Sequence, residues 1–400
     1  MFRQRSTELT PKAHHEGIIA GLDVGTTKIC AVVGEVMEGE LKILGVGTSV
    51  SKGLRKGVVV NIESTVESIK EAVKAAESIT GLEISAVYLG ITGGHIKGFN
   101  SYGAVGIKGR EVTYLEVERA IDSARAVYIP LDRELLHVIP TGYIIDGENG
   151  IRDPVGMAGM RLEAKVYMLT GVVTSVQNLL KCCDKADLEV IDIVFEPIAS
   201  AEAVLTDYEK EMGVAIIDIG GGTTDIILYK DGWIRHACAL AIGGNHFTND
   251  IAVGLRISVS EAERLKKVSG SATQDMVSEE DMIDIIQAGQ ERKIPRRYLS
   301  EIIQLRAEEL LNLIKGELIS NSGYDIVSSG IVLTGGGSLL NDLDRMAEAI
   351  LGLPVRIGFP ENIRGCRGII NNPVYATGVG LLLYGYETDS SRVFYPDTFS

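Results

Sequence analysis

The sequence predicts an α/β protein of two duplicated lobes with a subdomain inserted in the first, and three observations carry that prediction. An apolar run ending in Asp, a Gly/Thr turn and a second apolar run occur together twice, at 18–33 and at 214–229. Helical periodicity follows each of these hairpins. Between about 85 and 165 the rhythm breaks into strand-like runs around one helix. With 400 residues, 45% of them hydrophobic, the chain can bury two cores more readily than one.

The first hairpin turns through Leu22-Asp23-Val24-Gly25-Thr26-Thr27-Lys28 and the second through Ile217-Asp218-Ile219-Gly220-Gly221-Gly222-Thr223-Thr224-Asp225. Short β-branched runs split by Gly and Thr read as hairpins of buried strands. A helix is expected over 62–80, where Val66, Ile69, Val73 and Ala76 share a stripe and Gly81 closes the end. A second is expected over 295–319 on Leu299, Ile302, Ile303, Leu310, Leu313 and Ile314. In the inserted stretch, runs at 86–91 and 164–168 flank a helix near 114–126. The expected division is a disordered tail 1–16; first lobe 17–84, 166–203 and 361–388; inserted subdomain 85–165; second lobe 204–242 and 324–360; its outer subdomain 243–323; and a tail 389–400.

A net charge of −15 argues against nucleic acid as a partner, because phosphate backbones demand clustered Lys and Arg. The same charge opposes adsorption to anionic lipid. Cys30, Cys182, Cys183, Cys238 and Cys366 lack C-x-x-C spacing, so they read as small apolar side chains of a reducing compartment, without a disulfide framework or metal. Residues 1–16 have no apolar core of a signal peptide, and no run reaches the ~18 apolar residues of a membrane span.

The turns carry the chemistry. Gly brings backbone N–H groups close to an anion because it has no Cβ, and Thr26, Thr27, Thr223 and Thr224 can add hydroxyls. Asp23 and Asp218 end their strands at the turns, where a carboxylate would hold Mg²⁺ through its waters. Two such hairpins, with Gly25 and Gly220 195 residues apart, would clamp a triphosphate between them. A third Gly cluster, Thr334-Gly335-Gly336-Gly337-Ser338, follows another apolar run. It suits the face of a base, an α-phosphate, or a plain strand-to-helix turn. Neither a P-loop nor a complete G-x-G-x-x-G after a strand is present.

Two phosphate hairpins, the stretch Glu196-Pro197-Ile198-Ala199-Ser200-Ala201-Glu202-Ala203 and the late T-G-G-G together resemble the actin-like ATP-binding superfamily. Three further stretches, from Gly57 to Ile69, Gly90 to Asn100 and Asn372 to Gly385, resemble the FtsA family of bacterial division proteins. The resemblance implies ATP and Mg²⁺ as ligands. It implies Asp23 and Asp218 on the magnesium side, and Gly25, Thr26, Thr27, Gly220, Gly221, Gly222 and Thr223 at the phosphates. Lys28 would reach a phosphate as a point charge. Glu196 would orient an attacking water. Glu263 and Lys266, by spacing alone an ordinary i,i+3 helix pair, would contact ribose and adenine, with Gly335, Gly336 and Gly337 against the adenosine.

The function so implied is assembly into actin-like protofilaments that tether the tubulin-like ring protein, through its C-terminal tail, to the inner face of the cytoplasmic membrane. Other division proteins are implied partners. Arg296, Arg297 and Arg306 are candidates to meet that acidic tail, and a solvated charged face is the plainer reading of them. At most a slow ATPase is expected. A pilus-assembly homologue and a small-molecule kinase remain alternatives, although no acceptor motif stands beside the hairpins. Members of the family normally end in a membrane-binding amphipathic helix. Residues 376–386 read instead as a packed helix, and 387–400 hold one basic residue and Pro396, so the polypeptide as given is expected to stay off anionic vesicles.

Overall fold

The computed structural model describes residues 17–394 apart from positions 110, 288, 322, 362, 364 and 366. The expected tail 1–16 and Cys366 therefore lie outside the described residues.

The first lobe opens with β1 (Ile18–Val24), β2 (Lys28–Met37) and β3 (Glu40–Val50), followed by α1 (Ile62–Thr80) and β4 (Ala86–Ile91). The side chain of Asn61 accepts the Ser64 N–H at 3.0 Å to start α1, and Gly81, at φ 72°, ends it. The inserted unit then supplies β5 (Lys97–Gly106), α2 (Tyr114–Arg125), β6 (Arg133–Ile145), β7 (Glu148–Ile151) and β8 (Arg161–Val172). The chain returns through α3 (Val173–Lys185), β9 (Glu189–Phe195), α4 (Glu196–Val204) and α5 (Asp207–Met212).

The second lobe repeats the first, with β10 (Val214–Ile219), β11 (Thr224–Lys230) and β12 (Trp233–Leu240), then α6 (Gly244–Leu255) and α7 (Val259–Ser269). A small hairpin of β13 (Met282–Gln287) and β14 (Gln290–Pro295) leads into α8 (Arg296–Ser320), then β15 (Ile331–Thr334), α9 (Leu343–Leu351) and β16 (Val355–Ile357). Finally α10 (Ala376–Phe394) crosses back to the first lobe.

The duplication is visible in sheet order. The first sheet runs β3-β2-β1-β4-β9 and the second β12-β11-β10-β15-β16, each an antiparallel meander extended by two parallel strands. Almost every residue of β1 and all of β10 are buried, as expected of central strands covered on both faces. Two main apolar clusters result: one fills the first lobe and reaches Val214, Ile216, Ile227 and Val332 on one face of the second-lobe sheet, and the other lies on the opposite face of that sheet, within the second lobe.

Strand β4 corrects the reading of 86–91. It lies beside β1 in the first-lobe sheet rather than in the inserted unit, whose own sheet runs β5-β8-β6-β7. Periodicity could not separate the two, because partner choice along a sheet is a long-range property. The last helix also continues through residues expected as a tail, since no Pro or Gly interrupts it between Tyr386 and Phe394. It packs on α4 so closely that a Cβ on Gly380 would stand 1.7 Å from the carbonyl oxygen of Ala199.

Candidate functional site

The two duplicated hairpins meet turn to turn. A Cβ on Gly221 would lie 1.9 Å from Oγ1 of Thr27, and one on Gly222 would lie 2.6 Å from Oγ1 of Thr26. Only glycine lets the lobes approach so closely. The hydroxyl of Thr27 donates to Oδ1 of Asn245 at 3.3 Å, and that of Thr26 accepts the Gly57 N–H at 3.1 Å. Thr224, by contrast, is fully buried and donates to the carbonyl of Ile242 at 2.8 Å, so the turn sequence overcounted the hydroxyls at the cleft by one.

Between the lobes lies a cavity of about 530 Å³. Asp23, Gly25, Thr26, Thr27, Lys28, Glu196, Asp218, Gly220, Gly221, Thr223, Glu263, Lys266, Gly335, Gly336 and Gly337 all line it. Of the cleft residues singled out in the sequence, Gly222, packed against Thr26, and the buried Thr224 do not.

Four buried carboxylates converge at its floor. Asp218 accepts the hydroxyls of Ser200 at 2.6 Å and Thr377 at 3.3 Å through one oxygen. Asp225 accepts that of Thr92 at 2.6 Å. Asp23 lies 3.7 Å from Nζ of Lys28. Glu196 opens α4 beside Gly90, and among the described residues its buried Oε1 has no hydrogen-bond partner.

Burial pushes Asp23 up to about 6, Lys28 pulling against the rise and Asp218 adding to it. It pushes Asp225 up to about 8, with the Thr92 hydrogen bond opposing. Burial likewise raises Asp218, and raises Glu196 well above the carboxylate range with the help of Asp23, Asp225 and Asp218. Such crowding makes these acids retain protons, and a cation placed among them would favour their charged forms instead. Lys28 remains a cation: burial opposes its charge, but Cys30 and Asp23 more than offset that. Its ammonium donates to the carbonyl of Val374 at 2.7 Å and stands 4.7 Å from the ring centre of Tyr375.

On the opposite wall, Glu263 is held by Lys266 at 2.7 Å and Lys267 at 3.0 Å, and also accepts the Thr248 hydroxyl. Burial alone would raise this carboxyl, and those hydrogen bonds hold it instead at about 2. Gly335, at φ 79°, could not be any L-residue without cost, since a Cβ would stand 2.2 Å from Oδ1 of Asp218. Leu339, Leu340, Phe247, Pro373 and Val374 complete the wall with apolar surface.

Sequence reasoning passed over Thr92, Ser200, Asp225, Asn245 and Thr377. Asp225 closes the second turn motif and Ser200 sits inside the helix motif beginning at Glu196, so both were within view. Thr92 and Thr377 become legible only once their partners are known.

The three arginines proposed for an acidic partner are already paired. Arg296 lies 3.4 Å from Asp281 and Arg297 2.8 Å from Glu279. Arg306 grips both oxygens of Asp250, one at 3.0 Å, and also reaches Glu309.

Two family models match the chain: cell division protein FtsA over residues 215–380 and the SHS2 domain inserted in FtsA over residues 93–170. The cell division protein FtsA of Pseudomonas aeruginosa is 45% identical over 377 residues, 93% of this chain and 90% of its own. That of Escherichia coli K12 is 38% identical over 387 residues, 94% of this chain and 92% of its own. Among solved structures, a chain of a PilM–PilN type IV pilus biogenesis complex aligns with a TM-score of 0.66 at 18% identity, covering 92% of this chain and 98% of that one. MreB5 of Spiroplasma citri bound to ADP aligns with a TM-score of 0.56 at 18% identity, covering 95% and 99%. The fold is thus actin-like, with the inserted SHS2 unit in the first lobe, and the chain belongs to the cell division protein FtsA family.

Proposed function

We propose that this division protein binds Mg·ATP in the interlobe cleft, assembles into actin-like protofilaments and couples the tubulin-like ring protein, FtsZ, to the inner face of the cytoplasmic membrane. The observation that carries the nucleotide reading is the meeting of two Gly/Thr turns over four crowded carboxylates, one of them with an orphaned oxygen. Backbone N–H groups of Gly25, Gly220 and Gly221 suit phosphate oxygens, and Lys28 supplies the neutralising cation. Asp23 and Asp218 would hold the magnesium through water, and the ion's chemistry is to screen phosphate charge.

Glu263, Lys266 and the Gly335–Gly337 turn then flank ribose and base. Glu196, which lines the cleft and whose Oε1 has no hydrogen-bond partner among the described residues, is the group we assign to the attacking water. Support for nucleotide binding also comes from the fold, since the similar MreB5 has been seen with ADP and with AMPPNP. For the ring protein's acidic tail we assign Arg296 and Arg297 at the start of α8, which must exchange Asp281 and Glu279 for the incoming carboxylates. Arg306, tied to two acids, serves α8 itself. Among the described residues no helix is long and apolar enough to cross a membrane.

Equilibrium binding of a fluorescent ATP analogue tests the cleft. Asp218→Ala should abolish Mg-dependent binding with the fold retained, and undiminished affinity would remove the assignment. Capture by an immobilised tail peptide of the ring protein, reduced in Arg297→Glu, tests the tethering role, and equal capture by both proteins would reject that surface.

A further inference from the structure

One cluster of metal-binding side chains lies away from the cleft and has no part in it. His236 and Cys238 stand two residues apart on β12, so both leave the same face of this edge strand. Glu317, near the C-terminal end of α8, completes the group. The imidazole nitrogen, thiol sulfur and carboxylate oxygen all lie within 4.8 Å of one another, with Nε2 of His236 3.4 Å from Oε2 of Glu317. That nitrogen is buried and, among the described residues, has no hydrogen-bond partner beyond this contact with Glu317.

We propose that His236, Cys238 and Glu317 bind one zinc ion, with a water in the fourth position, at the seam between the edge strand of the second lobe and α8. Imidazole plus thiolate is a donor set that selects zinc over magnesium or calcium, which prefer oxygen alone. A tetrahedral ion with bonds of 2.0–2.3 Å keeps its ligand atoms roughly 3.5 Å apart. The trio must therefore close by about an ångström at its widest, within the reach of the flexible Glu317 side chain.

The strand that carries two of the ligands is fixed from its other side. Between them, Ala237 gives its N–H to the Tyr167 hydroxyl at 2.9 Å and its carbonyl accepts that hydroxyl at 3.2 Å. Tyr167 belongs to β8 of the inserted sheet, so the strand is pinned by a neighbouring unit while His236 and Cys238 project toward α8. On binding, an Sγ–Zn bond replaces the Sγ–H bond of Cys238, the proton passes to water, and no oxidation state changes. The ion would staple β12 to the end of α8, stiffening the strand that runs into Gly243 and Gly244 beside the nucleotide cleft.

The test uses the full chain, stripped by a chelator and titrated with zinc and then with cobalt(II) as a spectroscopic probe. One equivalent should bind, with a thiolate-to-cobalt charge-transfer band, tetrahedral d–d absorption, and a rise in melting temperature with zinc. Cys238→Ser should lose the band and the rise, whereas Cys183→Ser keeps both. His236→Gln and Glu317→Gln should weaken cobalt binding by more than the roughly 10- to 100-fold that losing an outer-shell partner costs. A missing band, or one that survives Cys238→Ser, overturns the proposal. Should Cys238→Ser fail to fold, His236→Gln decides the matter, since unchanged cobalt affinity refutes the site and the stated loss supports it.

Discussion

Thr92 donates its hydroxyl to Oδ1 of Asp225 at 2.6 Å, a buried bond between the end of β4 in the first lobe and β11 in the second. It is one of the few side-chain links across the floor of the cleft. Thr92→Val keeps the shape and deletes the donor, so it leaves a buried acceptor unpaired, at a cost of about 1–3 kcal/mol. Thermal unfolding should shift down, and affinity for ATP should fall by about tenfold or more as the lobes lose their registration. Unaltered melting and binding would show that this link carries no energy.

Stability of the nucleotide-free protein should fall as pH rises. Asp23 is raised to about 6 and Asp225 to about 8 in the folded state, each from an ordinary 3.8. A raised acid favours folding below its unfolded value, and that contribution is lost as pH climbs through the folded one. Each group changes the folding equilibrium by up to about tenfold per pH unit across its window. Melting curves from pH 5 to 9 should show this loss, and Asp225→Asn should flatten the part nearest pH 8. Added Mg·ATP should oppose the loss. A melting temperature independent of pH over that range would contradict the proposed crowding.

Gly335→Ala should be far more damaging than its size suggests. The residue combines φ 79° with a Cβ path that ends 2.2 Å from Asp218. Strain of about 1–3 kcal/mol, plus displacement of the Asp218 carboxylate, should abolish ATP binding and lower the melting temperature by several degrees. Gly368→Ala, where a Cβ meets nothing within 4 Å among the described residues, is the control that should change neither.

Lys28→Met should weaken ATP and ADP by at least about tenfold while leaving adenosine unaffected. The ammonium sits beside Asp23 and the Val374 carbonyl, on the side of the cleft proposed for the phosphates. Equal losses for all three ligands, measured by calorimetry, would mean that the lysine supports the pocket rather than the phosphates.

Glu196→Gln should preserve nucleotide affinity and lower whatever ATP hydrolysis the wild type shows by about 100-fold, the scale of a lost general base. Loss of affinity together with lowered melting would assign Glu196 to the start of α4 instead.

How much of this was legible beforehand follows from the range of each interaction. The hairpins at Asp23 and Asp218, the helices from Ile62 and Arg296 and the Gly335 turn rest on local patterns: β-branched runs, 3.6-residue periodicity and glycine where positive φ or close approach requires it. Local chemistry is written in consecutive residues, so the sequence alone determined them, and their duplication implied a cleft between lobes.

The tertiary structure alone decided which groups meet. It placed Ala86–Ile91 beside β1, turned Thr224 away from the cleft, and joined Thr92 to Asp225 and Ser200 to Asp218. It also gave the candidate arginines internal acids and brought Glu317 to His236 and Cys238. Each outcome depends on strand order and lobe packing, which sum weak contacts between residues far apart in the chain, and no window of sequence contains that sum.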